Sequence, residues 1–320
     1  MIHASDRIRK ELNNCLTYTD FVTDRHYYRG KVRDCYANGE TRLLIASDRI
    51  SAFDHVFDQA IPFKGQVLNQ IAAWSLRQTE DIISNHVIEV LDPNVTLAKE
   101  CQPIPLEIVV RGYLTGHAWR EYKSGSRNLC DNILPEGMKE HQKFDLPIIT
   151  PSTKASVGHD EDISIDQAIE EEIISEDLAE EITEVALMLY KRGSEIAYKQ
   201  GLILVDTKYE FGLYEGELYL MDEIHTPDSS RYFYLDGYQE RFDLGEPQKQ
   251  LSKEFVREWL MERNFQGLEG QKKPDLTDEF RVEISQRYIE LFEKLTGQSF
   301  VFPEEGNILQ RIEKNISEYL

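Results

Sequence analysis

The segment Leu204-Val-Asp-Thr-Lys-Tyr-Glu-Phe-Gly212, with the return segment Glu217-Leu-Tyr-Leu-Met-Asp-Glu223, predicts the β-hairpin on which the fold is centred. Apolar and polar residues alternate in both segments, and Glu215-Gly216 between them is a turn signal. Side chains of a strand repeat every two residues on one face, so one face of this hairpin is charged. Such a face is either solvated or part of a binding site, and the residues that follow the hairpin favour a site.

Three charged residues of the first strand, Asp206, Lys208 and Glu210, share this face. If the turn is a three-residue loop, Glu210 lies opposite Asp222, with the two Cβ atoms roughly 5 Å apart. Carboxylates at that separation repel each other unless a cation lies between them, and Mg²⁺ is commonly held by one or two carboxylates, waters and substrate phosphates. The pair therefore predicts a Mg²⁺ site, with Lys208 placed to meet a phosphate or a carboxylate.

The loop that follows, Asp222-Glu-Ile-His-Thr-Pro-Asp-Ser-Ser-Arg-Tyr232, is dense in side chains that bind anions. Asp228 helps to begin a turn, Ser229 and Ser230 add hydroxyl donors, and Arg231 adds a guanidinium suited to a carboxylate or a phosphate. A loop this polar beside paired acids is typical of one half of a binding site.

Composition limits the partners of the chain. Its 320 residues are 41% hydrophobic and 29% charged, as in a globular protein, and the net charge is −22. That charge repels a phosphate backbone, so nucleic acid is not expected as a partner. No run approaches the roughly 20 apolar residues of a membrane span, and the start MIHASDRIRKELNN lacks the apolar core of a signal peptide, which predicts a cytoplasmic protein without a membrane partner. Apolar helix faces serve cores and interfaces alike, so the oligomeric state stays undecided.

An antiparallel strand pair is predicted near the N-terminus. Tyr27-Tyr-Arg-Gly-Lys-Val-Arg-Asp-Cys-Tyr36 and Arg42-Leu-Leu-Ile-Ala46 flank the turn signal Asn38-Gly39. Gly30 permits close approach of a ligand to the backbone, and Lys31 and Arg33 fall on one face of the strand, where a nucleotide phosphate would fit. The segment matches neither a Walker loop nor a Rossmann fingerprint, so an ordinary hairpin is the alternative.

The next motif, Ala46-Ser-Asp-Arg-Ile-Ser-Ala-Phe-Asp54, carries Asp48, Ser51 and Asp54 at a spacing of three. A helical turn would present these three side chains together. A capped turn explains the same residues equally well, because serine and aspartate are both good N-caps.

Arg111 stands out in the segment Val109-Val-Arg-Gly-Tyr-Leu-Thr-Gly-His-Ala-Trp-Arg-Glu-Tyr122. It leaves a predicted buried strand, and a buried arginine must be paired, either with an anionic ligand or with an internal carboxylate. Lys154 and Asp160 lie in the loop Pro151-Ser-Thr-Lys-Ala-Ser-Val-Gly-His-Asp-Glu161, which suits either binding or plain exposure.

Helical patterns complete the chain. A capping box begins at Ser164, and a long amphipathic helix is predicted from Ser175 to a C-cap at Gly201. Further helices are predicted over residues 62–77, 251–260, 277–295 and 304–319. The last seventy residues show packing patterns and no catalytic arrangement.

Six motifs in order, among them GKVRD, LVDTKYEFG and DEIHTPDSSRYF, resemble those of the phosphoribosylaminoimidazole-succinocarboxamide synthase (SAICAR synthase) family in its longer, eukaryote-like form. The resemblance covers most of residues 25–260. It implies an α+β fold in two lobes: a β-rich N-terminal lobe over residues 1–108 that covers ATP, and a larger α+β lobe over residues 109–320 that carries the metal and substrate sites.

The implied reaction is that of an ATP-dependent ligase of purine biosynthesis, which joins L-aspartate to the carboxylate of 5-amino-1-(5-phosphoribosyl)imidazole-4-carboxylate through an acyl-phosphate. The implied cofactors are ATP and Mg²⁺. After Gly116 the family commonly has Ser-Gly, whereas this chain has His117-Ala118. No role is therefore transferred to His117, and the pocket for L-aspartate is not assigned.

The resemblance also implies a set of site residues. The implied catalytic residues are Lys208, Asp206 and Arg231, and the implied metal ligands are Glu210 and Asp222. The implied nucleotide-binding residues are Gly30, Lys31, Arg33, Glu107 and Lys208. The implied substrate-binding residues are Arg111, Asp228, Ser229, Ser230, Arg231, Asp48, Ser51, Lys154 and Asp160. A different ATP-dependent ligase or a kinase-like phosphotransferase is one alternative, but it would not need the PDSSR loop. A non-catalytic nucleotide-binding protein is the other, and it would be expected to have lost a phosphate-binding or metal-binding group.

Overall fold

The computed structural model describes residues 4–154 and 161–320. Its α-helices are α1 (Ala4–Lys10), α2 (Lys64–Arg77), α3 (Gly116–Ser124), α4 (Ile165–Glu170), α5 (Glu176–Lys199), α6 (Tyr238–Leu244), α7 (Glu254–Met261), α8 (Asp278–Thr296) and α9 (Ile308–Ile316), with a 3₁₀ turn at Ser317–Tyr319. Its strands are β1 (His26–Arg29), β2 (Arg33–Ala37), β3 (Thr41–Ala46), β4 (Ser51–Ala52), β5 (His55–Val56), β6 (Val87–Asp92), β7 (Val95–Lys99), β8 (Gln102–Tyr113), β9 (Asn128–Leu129), β10 (Asn132–Ile133), β11 (Lys143–Thr153), β12 (Leu202–Tyr214), β13 (Glu217–Met221), β14 (Ser230–Tyr234) and β15 (Gln250–Leu251). Mixed helices and sheets of this kind confirm the predicted α+β class.

The chain divides into two compact units. Unit 1 comprises residues 1–74, 86–100 and 251–320, and unit 2 comprises residues 75–85 and 101–250. The units differ in extent from the division predicted at residues 108–109, since unit 1 also takes in the C-terminal residues 251–320. Within the described residues, no helix is both long and apolar enough to cross a membrane.

Unit 1 is built on a five-stranded antiparallel sheet in the order β1-β2-β3-β7-β6. Its inner face packs Leu43, Ile45 and Val95 against Ile312 and Ile316 of α9, all fully buried. Residues 33–37 pair with residues 42–46, which confirms the predicted antiparallel pairing around Asn38-Gly39 for the second half of the predicted strand 27–36.

The prediction of one continuous strand over residues 27–36 is wrong. The chain turns back at Gly30, whose N–H donates to the Arg33 carbonyl at 2.8 Å, and Arg29 of β1 pairs with Asp34 of β2. Lys31 therefore lies in a tight turn, and it does not share a strand face with Arg33. A glycine followed by a lysine suits such a turn as well as it suits a strand that approaches a ligand.

Unit 2 is built on a six-stranded sheet in the order β11-β8-β12-β14-β15, with β13 paired to β12. Strand β12 is central, with β8 on one side and β13 and β14 on the other. Helix α5 begins at the N-cap Ser175, whose hydroxyl accepts from Leu178 N–H, and this confirms the predicted start of the long helix. The helix packs against β12, where a Cβ on Gly193 would lie 3.0 Å from Leu204.

The predicted register of the hairpin is wrong by one residue. Tyr214 pairs with Glu217, so the turn has two residues, Glu215 and Gly216, both with positive φ. Glu210 consequently lies opposite Met221, and Asp222 follows the end of β13 with φ of 64°. Because neighbouring strand residues point to opposite faces, a shift of one residue removes Asp222 from the position facing Glu210.

Candidate active site

A cluster of two lysines and two glutamates lies on unit 2; we call Glu107, Lys154, Lys208 and Glu210 the lysine–glutamate cluster. Glu107 of β8 and Glu210 of β12 are direct cross-strand partners. Lys208 Nζ lies 2.5 Å from Glu107 Oε1 and 2.7 Å from Glu210 Oε1, and Lys154 binds Glu210 Oε2. The carboxylate that faces Glu210 is therefore Glu107 of β8 and not the predicted Asp222, and the Lys208 ammonium lies between the two carboxylates.

The electrostatics of the cluster keep its charges fixed. Burial alone would raise the pKa of the Glu210 carboxyl, but Lys208 and Lys154 outweigh burial and lower it to about 2. Burial alone would lower the pKa of Lys208, yet Glu210 and Glu107 raise it well above its usual value. Lys208 and Glu210 are therefore ionised at neutral pH, and their ion pairs hold the two charged groups in a fixed orientation.

Of the two predicted metal ligands, Glu210 lies in this cluster, whereas Asp222 does not face it across the hairpin. Glu107 and Glu210 bring carboxylate oxygens to one place, which is the ligand type that Mg²⁺ prefers. In the described part of the chain, no three His, Cys, Asp or Glu side chains form a group suited to a metal ion. An ion held by one or two carboxylates and completed by phosphate and water does not require such a group.

Arg111, Asp206 and Arg231 form a second group on unit 2, which we call the arginine cluster. Asp206 of β12 pairs in register with Arg111 of β8 on one side and with Arg231 of β14 on the other. Its Oδ2 lies 3.0 Å from Arg111 Nη1 and 2.9 Å from Arg231 Nη2. Arg111 also donates to the Thr150 hydroxyl at 2.8 Å. Two guanidiniums share one carboxylate, so the cluster carries one positive charge in excess and favours an anionic ligand.

Helix α3 begins against this cluster. Gly116 has φ of 58°, and a Cβ there would lie 1.6 Å from Arg231 Nη1, so only glycine permits the guanidinium to approach. Thr115 occupies the N-cap without capping the helix, because its hydroxyl pairs with His141 Nδ1 at 3.1 Å. Burial and Arg231 lower the pKa of His141 to about 4, so the ring is neutral at pH 7.

His117, which replaces the serine expected from the resemblance, is half-exposed and pairs through Nε2 with Asp162 Oδ2 at 2.6 Å. The hydrogen bond from His117 lowers the pKa of Asp162. The sequence does not predict this pair, because the two residues are 45 positions apart.

The PDSSR loop is held mainly by its own hydroxyl groups. The Ser230 hydroxyl is buried and lies 2.7 Å from that of Thr207, while the Ser229 hydroxyl accepts from Thr226 N–H at 3.1 Å. The Ser229 carbonyl accepts from Lys208 N–H at 3.0 Å, which ties the loop to β12. The loop thus supports Arg231 at the start of β14, and Asp228 in it is half-buried.

The buried side chain of His225 holds the same loop in place. Its ring is 3% exposed, its Nε2 pairs with the Tyr209 hydroxyl at 2.8 Å, and a Cβ on Gly193 would lie 2.6 Å from it. Burial lowers the pKa of His225 to about 4. The imidazole is therefore a neutral packing group that links α5, β12 and the loop.

This burial predicts an acid-sensitive fold. In the unfolded chain, His225 becomes protonated below its usual pKa of about 6.5, whereas in the folded state it stays neutral down to about pH 4. The free energy of unfolding therefore falls as the pH falls from about 6.5 to about 4. The full effect is about 3 kcal/mol. We expect His225→Asn, which tolerates the left-handed backbone at this position, to lower stability at pH 7.5 but to flatten its dependence between pH 6.5 and 4 in urea unfolding. The exposed His26→Asn serves as control, and equal slopes in the two variants would contradict the assignment.

On unit 1, the turn at Gly30 is organised by Arg49, which sequence reasoning missed. The guanidinium donates to the carbonyls of Gly30 at 3.0 Å, Lys31 at 3.1 Å and Thr17 at 2.6 Å, and it pairs with Asp34 at 2.8 Å. This buried arginine fixes the backbone of the GKVRD motif, while Lys31 projects to solvent and pairs with Asp54 at 2.5 Å.

The structure does not present Asp48 and Asp54 together. The Asp48 carboxylate is 1% exposed and accepts from the backbone N–H groups of Leu16 at 2.8 Å and Gly65 at 2.9 Å. Asp54 is exposed in the turn between β4 and β5, and Ser51 is buried in β4. The helical spacing is not realised, because these residues form a strand and a turn. The predicted site residue Asp160 lies outside the described residues.

Comparison with known proteins agrees with the predicted family. The SAICAR synthetase family model matches residues 26–274. Phosphoribosylaminoimidazole-succinocarboxamide synthases of Bacteroides thetaiotaomicron and Bacteroides fragilis are 57% and 58% identical to this chain, and each alignment covers 95% of this chain and 98% of the relative. A solved SAICAR synthase from Saccharomyces cerevisiae in complex with SAICAR is 34% identical, with a TM-score of 0.77, over 90% of this chain and 100% of the yeast chain.

The chain therefore belongs to the SAICAR synthetase family. This confirms the predicted ligase activity: L-aspartate is joined, with ATP, to the carboxylate of 5-amino-1-(5-phosphoribosyl)imidazole-4-carboxylate in purine biosynthesis. The alternatives of a kinase-like phosphotransferase and a non-catalytic nucleotide-binding protein are set aside by the same findings.

Proposed function

We propose that the two clusters on β12 divide the chemistry of this ligase between them. The arginine cluster binds the anionic imidazole ribonucleotide, and the lysine–glutamate cluster binds the phosphates of ATP. The observation that carries the proposal is their placement, since Asp206, Lys208 and Glu210 lie at alternate positions of one strand. Asp206 and Lys208 form ion pairs with β8, and Glu210 forms ion pairs with Lys208 and Lys154. The yeast relative was solved with SAICAR, the product of the same reaction.

The chemistry follows from the poor reactivity of a carboxylate. We propose that a carboxylate oxygen of the substrate attacks the γ-phosphorus of ATP and ADP leaves, which gives an acyl-phosphate. The amine of L-aspartate then attacks the acyl carbon, and inorganic phosphate leaves with the original oxygen while the amine loses its proton. Both steps move negative charge among oxygens, so fixed cations and positioning supply most of the catalysis.

Each proposed residue has a physical role in this scheme. Lys208 and Lys154 stabilise phosphate oxygens, Arg111 and Arg231 bind the substrate anion, and Asp206 holds the two guanidiniums in place. On unit 1 we propose that Gly30, Lys31 and Arg33 bind ATP phosphates. Asp228, Ser229, Ser230, Asp48, Ser51 and Asp160 remain predicted substrate-binding residues.

We propose Mg²⁺ as the metal cofactor and Glu210 as its first ligand, with Glu107 now a better second candidate than Asp222. A bound Mg²⁺ would neutralise charge on the transferred phosphoryl group. We further propose that the enzyme works in the cytoplasm, where ATP and L-aspartate are available.

The test is phosphate release by the purified chain with MgATP. We expect release only when the imidazole carboxylate and L-aspartate are both present, and we expect EDTA to abolish it. Release with the imidazole carboxylate alone would indicate hydrolysis of an intermediate. Release with an unrelated acid or amine, or none at all, would contradict the assignment of the acceptor site, and undiminished release in EDTA would contradict the metal.

A further inference from the structure

Unit 1 contains a cavity of about 410 Å³, and of the residues in the proposed function only the predicted substrate-binding residue Asp48 lines it. It lies among α1, the start of α2 and the segment that leads into α9, and Asp48, Phe63 and Gln66 form part of its wall. The Phe63 backbone has φ of 64°, a conformation that costs energy for a bulky residue. Strain of this kind persists only where the surrounding structure holds it.

One buried acceptor on the cavity wall has no hydrogen-bond partner. Gln66 is 2% exposed, and its amide nitrogen donates to the Val301 carbonyl at 2.9 Å. Its Oε1 is bonded to nothing among the described residues. A buried acceptor without a donor costs about 1–3 kcal/mol, so a ligand that brings an N–H or O–H group would be stabilised here.

Beside it, the Asp48 carboxylate has spare capacity as an acceptor. It accepts two backbone N–H groups, whereas an ionised carboxylate offers about four acceptor positions. Burial raises the pKa of Asp48 to about 6, because it outweighs the two backbone N–H groups and the charges of Lys64 and Arg311, which lower the pKa. The inner wall of the cavity therefore offers hydrogen-bond acceptors that a ligand with N–H or O–H donors would satisfy.

The net charge of the residues that line the cavity also favours a cationic ligand. Four acids, Glu11, Asp48, Glu304 and Glu305, line the cavity against two arginines, Arg7 and Arg311, for a formal charge of −2. Both arginines are already bound to carboxylates, Arg7 to Glu11 and Glu305 and Arg311 to Asp92. A metal ion is not favoured, because the described residues form no group of three suitable ligands.

We propose that this cavity binds a small organic cation, of the class of alkyl diamines, whose ammonium groups donate to Gln66 Oε1 and to the Asp48 carboxylate. The aliphatic part of the ligand packs on the Phe63 ring. Glu305 at the rim, where the side chain is 66% exposed, adds electrostatic attraction for the positive charge of the ligand.

The probe is 1,4-diaminobutane, added to the full chain in a thermal-unfolding experiment. We expect 10 mM diamine to raise Tm by about 3 °C through preferential binding to the folded state. Sodium chloride at equal ionic strength and 1,4-butanediol, which has the same chain length without charge, should give no comparable rise. An equal shift with either additive would overturn the proposal, because it would show a salt or solvent effect.

Two variants place the binding in the cavity. Gln66→Met removes the lone acceptor at similar volume, and Glu305→Gln removes one negative charge from the exposed rim without touching the core. Isothermal titration should show affinity for the diamine falling about 10-fold in the first and about 3-fold in the second. Glu313→Gln, an exposed acid on α9 outside the lining, makes the same change of net charge and should bind as the wild type does.

The rim variant keeps the test decisive if Gln66→Met does not fold. Unchanged affinity in Glu305→Gln, or an equal loss in Glu313→Gln, would overturn the cavity as the binding site. Ligase activity in the assay above does not enter either readout, so failure of this proposal and failure of the ligase assignment are distinguishable.

Discussion

Replacing Lys208 with methionine is expected to lower turnover by a factor of about 10²–10³ and to destabilise the fold. The ammonium lies between Glu107 and Glu210, at 2.5 Å and 2.7 Å, and without it two carboxylates face each other across neighbouring strands. Breaking a buried ion pair by removing one partner costs about 3–5 kcal/mol. Lys154 still contacts Glu210, so we expect a loss near the lower end of that range.

The loss of turnover should be measurable independently of the loss of stability. Steady-state phosphate release at a temperature where the variant is folded should show a lower kcat, since the fixed positive charge is missing when charge develops on the phosphoryl oxygens. Lys208→Arg keeps the charge and should recover stability more than turnover, because the shape of the donor group differs. Lys191→Met on the exposed face of α5 is the matched control. Near-normal turnover in Lys208→Met would remove Lys208 from the proposed mechanism.

The composition of this cluster shows what period-two alternation in a sequence can establish. The shared face of Lys208 and Glu210 follows from their spacing of two, and the structure confirms it, since their charged groups are in contact. The partner of Glu210 does not follow from local pattern. Glu107 comes from a strand about a hundred positions earlier, and the pairing of distant strands is set by packing of the whole sheet. Asp222 was predicted as the partner of Glu210 on the assumption of a three-residue hairpin turn, whereas the turn has two residues.

Residues whose side chains position other parts of the chain were the hardest to predict from the sequence. Arg49 lies inside a motif singled out for its acids, yet its guanidinium fixes the Gly30 turn through the carbonyls of Gly30 and Lys31. His225 lies inside the loop that is predicted to bind anions, yet it is buried against Tyr209 and Gly193. Motif composition indicates that a segment is special, but it does not distinguish a group that meets a ligand from one that shapes the backbone. Burial and partners decide that, and both are tertiary properties.

Replacing Asp206 with asparagine is expected to have the second large effect. Its carboxylate binds Arg111 Nη1 at 3.0 Å and Arg231 Nη2 at 2.9 Å, and Arg111 is 6% exposed. Asparagine keeps the shape but removes the negative charge that the two guanidiniums share, and one of these guanidiniums is deeply buried. We expect urea unfolding to show a loss of about 3 kcal/mol, as for a broken buried pair. Asp81→Asn is the matched control, because Asp81 also pairs with an arginine, Arg192, but at an exposed site, and it should cost much less.

The same variant separates a structural from a functional role for the carboxylate. With residue 206 neutral, the arginine cluster has a net charge one unit more positive, so inorganic phosphate should stabilise Asp206→Asn more than it stabilises the wild type. The KM for the imidazole carboxylate should rise as well, because Arg111 and Arg231 lose the group that orients them, whereas the KM for ATP should change little. An ATP KM that rises as much as the substrate KM would show that the arginine cluster is not dedicated to the anionic substrate. The division of labour along β12 would then be wrong, although membership of the family would stand.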